Sequence, residues 1–217
     1  MRPFLLLAGV LSTGCALAGR SGPILAPTSI EKIATLTVVR IATKGGIAHG
    51  CPVGPRDLLT AGHVMMRYGH AGPEAIPATW SDTSGHSGSL TMLYFDARRD
   101  LVLAESTDVP FARWFALAST PPAIGTRAHA VGYDFDNPSL SQRTVSVRVT
   151  GLLGGDVLFE RSAGPGSSGS CWINEAGEVI AIHHGNFPRG QKKETASGSG
   201  VWPPWYPIAE RWRSEEP

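Results

Sequence analysis

The sequence predicts an all-β protein of the sandwich or barrel kind, and three observations carry that prediction. Short apolar and β-branched runs recur at 33–42, 57–62, 88–95, 100–105, 127–133, 143–153, 156–161 and 177–185, separated by Gly, Pro, Asn or Asp. In RTVSVRVT the alternation is nearly strict, with Val145, Val147 and Val149 on one face, the pattern of a half-buried strand. The third observation is turn content. The chain holds 26 glycines and 17 prolines among 217 residues, too many for a helical bundle and too evenly spread for disorder. One helix is expected, at the end: Trp205, Ile208, Ala209 and Trp212 recur at i, i+3, i+4 and i+7, with Pro207 near the first turn. Its apolar stripe should dock on the body of the protein.

Length and charge bound the rest. With 42% hydrophobic residues, 217 residues suit one domain or two small packed units with real cores. The proline pair in STPPAIG, residues 119–125, interrupts regular structure and marks a boundary between two such units. A net charge of +1 with 17% charged residues gives no electrostatic reason to expect nucleic acid or an anionic membrane as a partner.

In the N-terminal stretch MRPFLLLAGVLSTGCALAG, residues 1–18 read as a signal peptide. Arg2 supplies the positive start, residues 4–11 an apolar run too short to span a bilayer, and Ala16-Leu17-Ala18 a cleavage pattern before Gly19. A secreted or periplasmic location follows. A lipoprotein is a second reading, with Cys15 as the anchor and the only expected link to a membrane, although Ser12 stands where such signals usually carry leucine. Cleavage after Ala18 leaves Cys51 and Cys171, an even pair in an oxidising compartment and hence a candidate disulfide. Sequence leaves open whether their α-carbons approach closely enough.

The stretch GPGSSGSCW, 164–172, is either a flexible loop or a turn that presents one hydroxyl. A reactive serine needs a tight turn, which glycine permits, and backbone N–H groups aimed at the oxygen that becomes negative during attack. Ser168 meets both demands, because Gly166 lies two positions earlier as a second N–H donor and Gly169 follows. Ser167 has Pro165, which has no N–H, at the equivalent donor position, and Ser170 is followed by Cys171. The hydroxyl needs a base. Among seven histidines His63 stands out, closing PVGPRDLLTAGHV at a small-residue corner after a strand; His49, His70, His86 and His129 are expected on the surface or in local bonds. The base needs a buried acid. Asp100 opens the apolar run DLVLAE, whereas Asp96 precedes Ala-Arg-Arg in a more solvated setting. No H-E-x-x-H or C-x-x-C spacing argues for a metal, and no cofactor is implied.

In this order LLTAGHV, RRDLVLAE and GPGSSGSCW resemble the histidine, aspartate and serine motifs of chymotrypsin-fold (trypsin-like) serine peptidases, closest to compact bacterial-type members. The resemblance covers roughly residues 30–205. It implies two packed six-stranded antiparallel β-barrels. Residues 19–118 would form the first, with His63 and Asp100, and residues 119–217 the second, with Ser168 and the terminal helix; the cleft between them would be the active site. It also implies an endopeptidase acting through an acyl-enzyme, as a monomer, on protein or peptide substrates.

The chain departs from the family pattern in two places. G-S-S-G-S replaces the usual G-D-S-G-G or G-N-S-G-G, so Ser167 cannot pair with a newly cut N-terminus and activation of that kind is not expected. By analogy the base of the specificity pocket falls near Ser162, where no acid stands, and its wall along 181–186 with His183, His184 and Gly185. A preference for basic side chains is therefore disfavoured. Some relatives that cut after Glu or Gln carry a histidine on this wall, and strand geometry allows at most one of His183 and His184 to line it. Two further readings use the same fold: a catalytically silent binding module, disfavoured because all three catalytic positions are filled, and acyl transfer on non-peptide esters.

Overall fold

The computed structural model describes residues 30–69, 72–133, 142–161, 166–187 and 195–202. The expected signal segment with Cys15, residue His70, the expected pocket residue Ser162 and the expected helix at 205–212 lie outside the described residues.

The described chain begins with a helix, α1 (Ile30–Thr37), followed by strand β1 (Val39–Thr43). The expected strand at 33–42 is therefore split. Its β-branched residues obscure a second pattern: Ile30, Ile33, Ala34 and Thr37 recur at i, i+3, i+4 and i+7, the stripe of an amphipathic helix. Ala34 and Thr37 are buried, and Ile30 and Ile33 pack against the core. Tertiary burial of that stripe outweighs the local preference for strand.

Six strands then close a barrel in the order β1, β2 (Gly46–Pro52), β3 (Asp57–Ala61), β8 (Leu101–Ser106), β7 (Ser87–Asp96) and β6 (Ala78–Ser81). All six pairings are antiparallel. A single helical turn, α2 (Gly62–Met65), and a hairpin of β4 (Met66–Gly69) and β5 (Gly72–Ala75) occupy the connection from β3 to β6. The second barrel runs β10 (Arg127–Tyr133), β11 (Gln142–Leu153), β12 (Asp156–Phe159), β15 (Thr195–Gly200), β14 (Glu178–Phe187) and β13 (Cys171–Asn174), and the pairing of β13 with β10 closes it. A two-residue strand, β9 (Ala116–Leu117), adds in parallel to β14. The Pro121-Pro122 stretch lies in the irregular connection between β9 and β10. Two closed six-stranded antiparallel barrels are the architecture the motif resemblance implies.

Three apolar clusters hold this arrangement. Ile41, Leu58, Trp80, Val102 and Ala104 fill the first barrel, where Trp80 donates its Nε1–H to Ser106 Oγ at 2.8 Å. Val147, Val149, Phe159, Trp172 and Ile180 fill the second, with Phe159 and Trp172 stacked at 4.1 Å between ring centroids. The third cluster joins residues of both: Cys51, Leu59, Leu101 and Leu103 from the first barrel meet Val131, Cys171, Ile173 and Ile182 from the second. Strands β3 and β8 thus bury both faces, Leu58 and Val102 inward and Leu59 and Leu101 across the seam. That is why both read as unbroken apolar runs instead of alternating ones.

Strand β15, TASGSG, carries no β-branched run, and nothing in its sequence marks it as a strand. Its small residues answer to crowding. A Cβ on Gly198 would lie 2.8 Å from the Ile182 carbonyl oxygen, and one on Gly200 would lie 2.1 Å from the Trp202 ring.

Candidate active site

The base and acid candidates meet at the rim of the first barrel. Strand β3 delivers the chain to α2, where His63 is the second residue. Asp100 lies directly before β8, the strand paired with β3, so the ladder that aligns Ala61 with Leu101 brings the two together. Asp100 Oδ2 is 2.6 Å from His63 Nδ1, and its Oδ1 accepts the His63 backbone N–H at 2.7 Å. The Asp100 carbonyl accepts the Gly62 N–H at 2.7 Å. A carboxylate only accepts, so Nδ1 carries a proton and Nε2 of the neutral imidazole presents its lone pair.

Two backbone features make this contact. Asp100 sits in the left-handed region at φ 49°, a conformation Asp tolerates better than most residues. Gly62 is required by space, because a Cβ there would lie 2.5 Å from the Phe95 ring and 2.6 Å from Asp100 Oδ1. The His63 side chain is 43% exposed, so the imidazole is open to a substrate. Asp96 instead accepts the N–H groups of Arg98 and Arg99, capping the turn that leads into Asp100.

Arg99, next to Asp100, clamps the two barrels. Its guanidinium donates to the carbonyls of Gly155, at 3.3 Å, and Gly200, and its own carbonyl accepts the Ser199 hydroxyl. The acid is thereby tied to the second barrel through its neighbour's backbone. Nothing in the sequence marks Arg99 out from Arg98.

The serine turn comes from the second barrel and is pressed against the first. The His49 N–H donates to the Ser168 carbonyl at 2.9 Å. Gly169, at φ 80°, has room for no side chain: a Cβ would lie 2.1 Å from both the His49 carbonyl oxygen and Thr60 Oγ1, and 3.2 Å from the Ala61 nitrogen. The residue after Ser168 therefore rests on the end of β3, two positions before His63. Of the three serines in the turn, Ser167 and Ser170 are fully buried, and Ser170 Oγ accepts the Val131 N–H at 3.2 Å. Ser168, between them, is half-buried.

Cys51 and Cys171 form a disulfide, with α-carbons 5.4 Å apart. It crosses the seam between barrels two residues after His49 and three after Ser168.

Two histidines expected on the surface or in local bonds are instead buried. His49 is inaccessible, and burial lowers it from 6.5 to about 4, against the effect of a 2.7 Å hydrogen bond to the Gly166 carbonyl. His129 is buried on β10, with Nδ1 2.8 Å from Ser146 Oγ on the paired strand. Both lie within strands whose neighbours cover them, a fact of pairing that local sequence does not record. His86 matches its expectation, bonding Asp82 Oδ2 at 2.8 Å across an exposed turn.

On the expected wall segment, His183 is buried and accepts the Trp172 indole N–H on Nδ1 at 3.4 Å. Burial above all, with smaller contributions from neighbouring His184, His63 and His49 when they are protonated, lowers His183 to about 3 against a hydrogen bond to the Ser197 backbone, so its imidazole is neutral at neutral pH. His184 is half-buried, with Nε2 3.4 Å from Asp156 Oδ1. The strand is irregular between His183 and Gly185, and the Gly185 carbonyl accepts the Ser197 hydroxyl at 3.5 Å.

Paired barrels, with a histidine–aspartate couple on one side of their seam and a serine turn on the other, define a chymotrypsin-like fold. A family model described as the trypsin-like peptidase domain matches residues 48–182, and the chain belongs to that family. A glutamyl endopeptidase of Staphylococcus aureus is 26% identical over 171 residues, covering 71% of this chain and 52% of its own length. The chain thus spans about half the length of that curated relative. Among solved structures, a Glu endopeptidase in complex with MPD superposes with a TM-score of 0.72 at 15% identity, over 88% of this chain and 95% of its own. A serine endoprotease from Yersinia pestis gives a TM-score of 0.62 at 17% identity, covering 87% of this chain and 66% of the other.

Proposed function

We propose that the protein is an exported serine endopeptidase acting by acyl transfer. The observation that carries this reading is the double hydrogen bond from His63 to Asp100 beside a serine turn seated on the strand that leads to His63. Ser168 Oγ attacks the scissile carbonyl as His63 Nε2 takes its proton, and Asp100 holds the imidazole tautomer and stabilises the imidazolium. The N–H groups of Gly166 and Ser168 receive the oxyanion. The protonated His63 then gives its proton to the leaving amine, and water hydrolyses the acyl-enzyme by the same route.

The substrate side chain is bound between Ser162 and the wall segment 183–185, which one of His183 and His184 lines. His183 is neutral, with Nδ1 engaged by Trp172 and a further hydrogen bond to the Ser197 backbone, so the wall presents no fixed positive charge from His183 that would repel or select a charged side chain. The glutamyl specificity in the names of two relatives supports a preference for Glu or Gln. Export with removal of residues 1–18 is supported by the N-terminal pattern and by a disulfide, which persists in oxidising compartments. The enzyme acts as a monomer on protein or peptide substrates.

Labelling with an organophosphonate probe tests the nucleophile. Wild type should be labelled at Ser168 and Ser168→Ala should not; equal labelling of the two removes Ser168 from the mechanism. A chromogenic peptide series with Glu, Gln, Phe or Lys before the scissile bond tests the pocket, and turnover fastest after Lys would refute the specificity reading.

A further inference from the structure

We infer that Ser199 is a positioning residue for Asp100, a second-barrel hydroxyl that fixes the peptide leading into the acid and so aims its carboxylate at His63. The inference rests on His63 and Asp100 being the base and acid, as proposed above.

Among the described residues, both carboxylate hydrogen bonds of Asp100 go to His63, one to Nδ1 at 2.6 Å and one to the backbone N–H at 2.7 Å. The direction of the carboxylate is therefore set by the backbone at Asp100, which stands in the left-handed region at φ 49°. A residue with a side chain keeps that conformation only where its surroundings fix it. What fixes it are the two planar peptides that flank the α-carbon. The first barrel holds the peptide after Asp100, whose carbonyl accepts the Gly62 N–H at 2.7 Å while Leu101 pairs with Ala61. The second barrel holds the peptide before it, because the Arg99 carbonyl accepts the Ser199 hydroxyl. The angle φ is the rotation between that preceding peptide and the α-carbon, so the Ser199 contact bears directly on the strained angle.

Ser199 is itself firmly placed. It is fully buried in β15, opposite Asp156 of β12 on one side and Ile182 of β14 on the other. Ile182 packs in the cluster between the barrels, and residues directly opposite share a face, so the Ser199 side chain faces the seam. The Arg99 guanidinium, bonded to the carbonyls of Gly155 and Gly200, keeps the Arg99 backbone against the same strand. Base and acid thus belong to one barrel, yet their alignment depends on the other. Docking of the barrels completes the couple as well as bringing the serine turn to it.

The test compares Ser199→Ala with Ser106→Ala, which removes an equally buried hydroxyl, bonded to Trp80, from the first-barrel core. A misplacement of about 1 Å in a catalytic array can cost about 100-fold in rate. Ser199→Ala should lower kcat by about 10- to 100-fold, with KM within about threefold of wild type. It should also move the low-field proton resonance of His63 Nδ1–H, which reports the bond to Asp100. Ser106→Ala should lower the unfolding midpoint by a comparable amount while leaving kcat and that resonance at their wild-type values. A folded Ser199→Ala with either an unmoved resonance or kcat within about twofold of wild type overturns the inference. An equal loss of kcat in the two variants also overturns it, since that would mark a general effect of removing a buried hydroxyl. Should Ser199→Ala not fold, Arg99→Ala, which frees the same peptide from β15, is read by the same two measurements and the same criteria. Failure of the catalytic reading would appear separately, as wild-type kcat in Asp100→Asn.

Discussion

Removing the Cys51–Cys171 bridge, by the double substitution C51A/C171A, should have the largest effect of any change away from the catalytic groups. The bridge closes a loop of sequence separation 120, and the chain-entropy relation for such a loop gives about 5 kcal/mol of stabilisation, mostly through the unfolded state. Both cysteines lie in the apolar cluster that spans the barrels, at 0% and 1% exposure, so alanine is the substitution that buries no new polar group. For a chain of this size the loss corresponds to a fall in Tm of about 10–20 °C. The assay is urea unfolding of both proteins, followed by fluorescence and circular dichroism so that coincidence of the transitions tests two-state behaviour. The m-value should rise in the variant, because an unfolded chain without the cross-link exposes more surface. A loss under about 1 kcal/mol with unchanged m would refute the reasoning, since it would mean that the unfolded chain is no freer without the bridge.

Gly169→Ala should destabilise the fold by about 2–4 kcal/mol, combining a left-handed backbone with overlap against His49 and Thr60, and should abolish phosphonate labelling. Retention of both would show that the turn does not rest on β3. Arg99→Ala should cost about 2 kcal/mol, because the guanidinium bonds two carbonyls across the seam, whereas Arg98→Ala, at an exposed site, should stay within about 0.5 kcal/mol. Equal effects in urea titrations would remove the clamp. Stability should also fall as pH drops below 6.5. His49 and His183 are lowered to about 4 and about 3 in the folded state, so between those values and 6.5 the unfolded chain binds more protons. The full contribution is present above 6.5 and is lost on acidification, by roughly 1 kcal/mol per group per pH unit until the folded values are reached. Denaturation midpoints that are flat from pH 7 to 5 would contradict the burial of neutral histidines.

Local sequence records what each residue meets along its own strand. The alternation around Val145, the apolar runs at 57–62 and 100–105, and the order of the His63, Asp100 and Ser168 motifs are of that kind, and the strands at those places were legible for that reason. Cys51 and Cys171 were legible as a candidate pair, but only the structure shows that they are bridged and that the bridge spans the barrels. What the tertiary structure alone decided are matters of who sits opposite whom. Helix α1 exists because its stripe is covered by the core between the barrels, and β15 is a strand because its glycines meet Ile182 and Trp202 at close range. His49 and Arg99 look like ordinary polar residues in the sequence. Their importance comes from carbonyl groups more than fifty residues away, and the closing of two barrels against each other is what brings those groups within hydrogen-bonding distance.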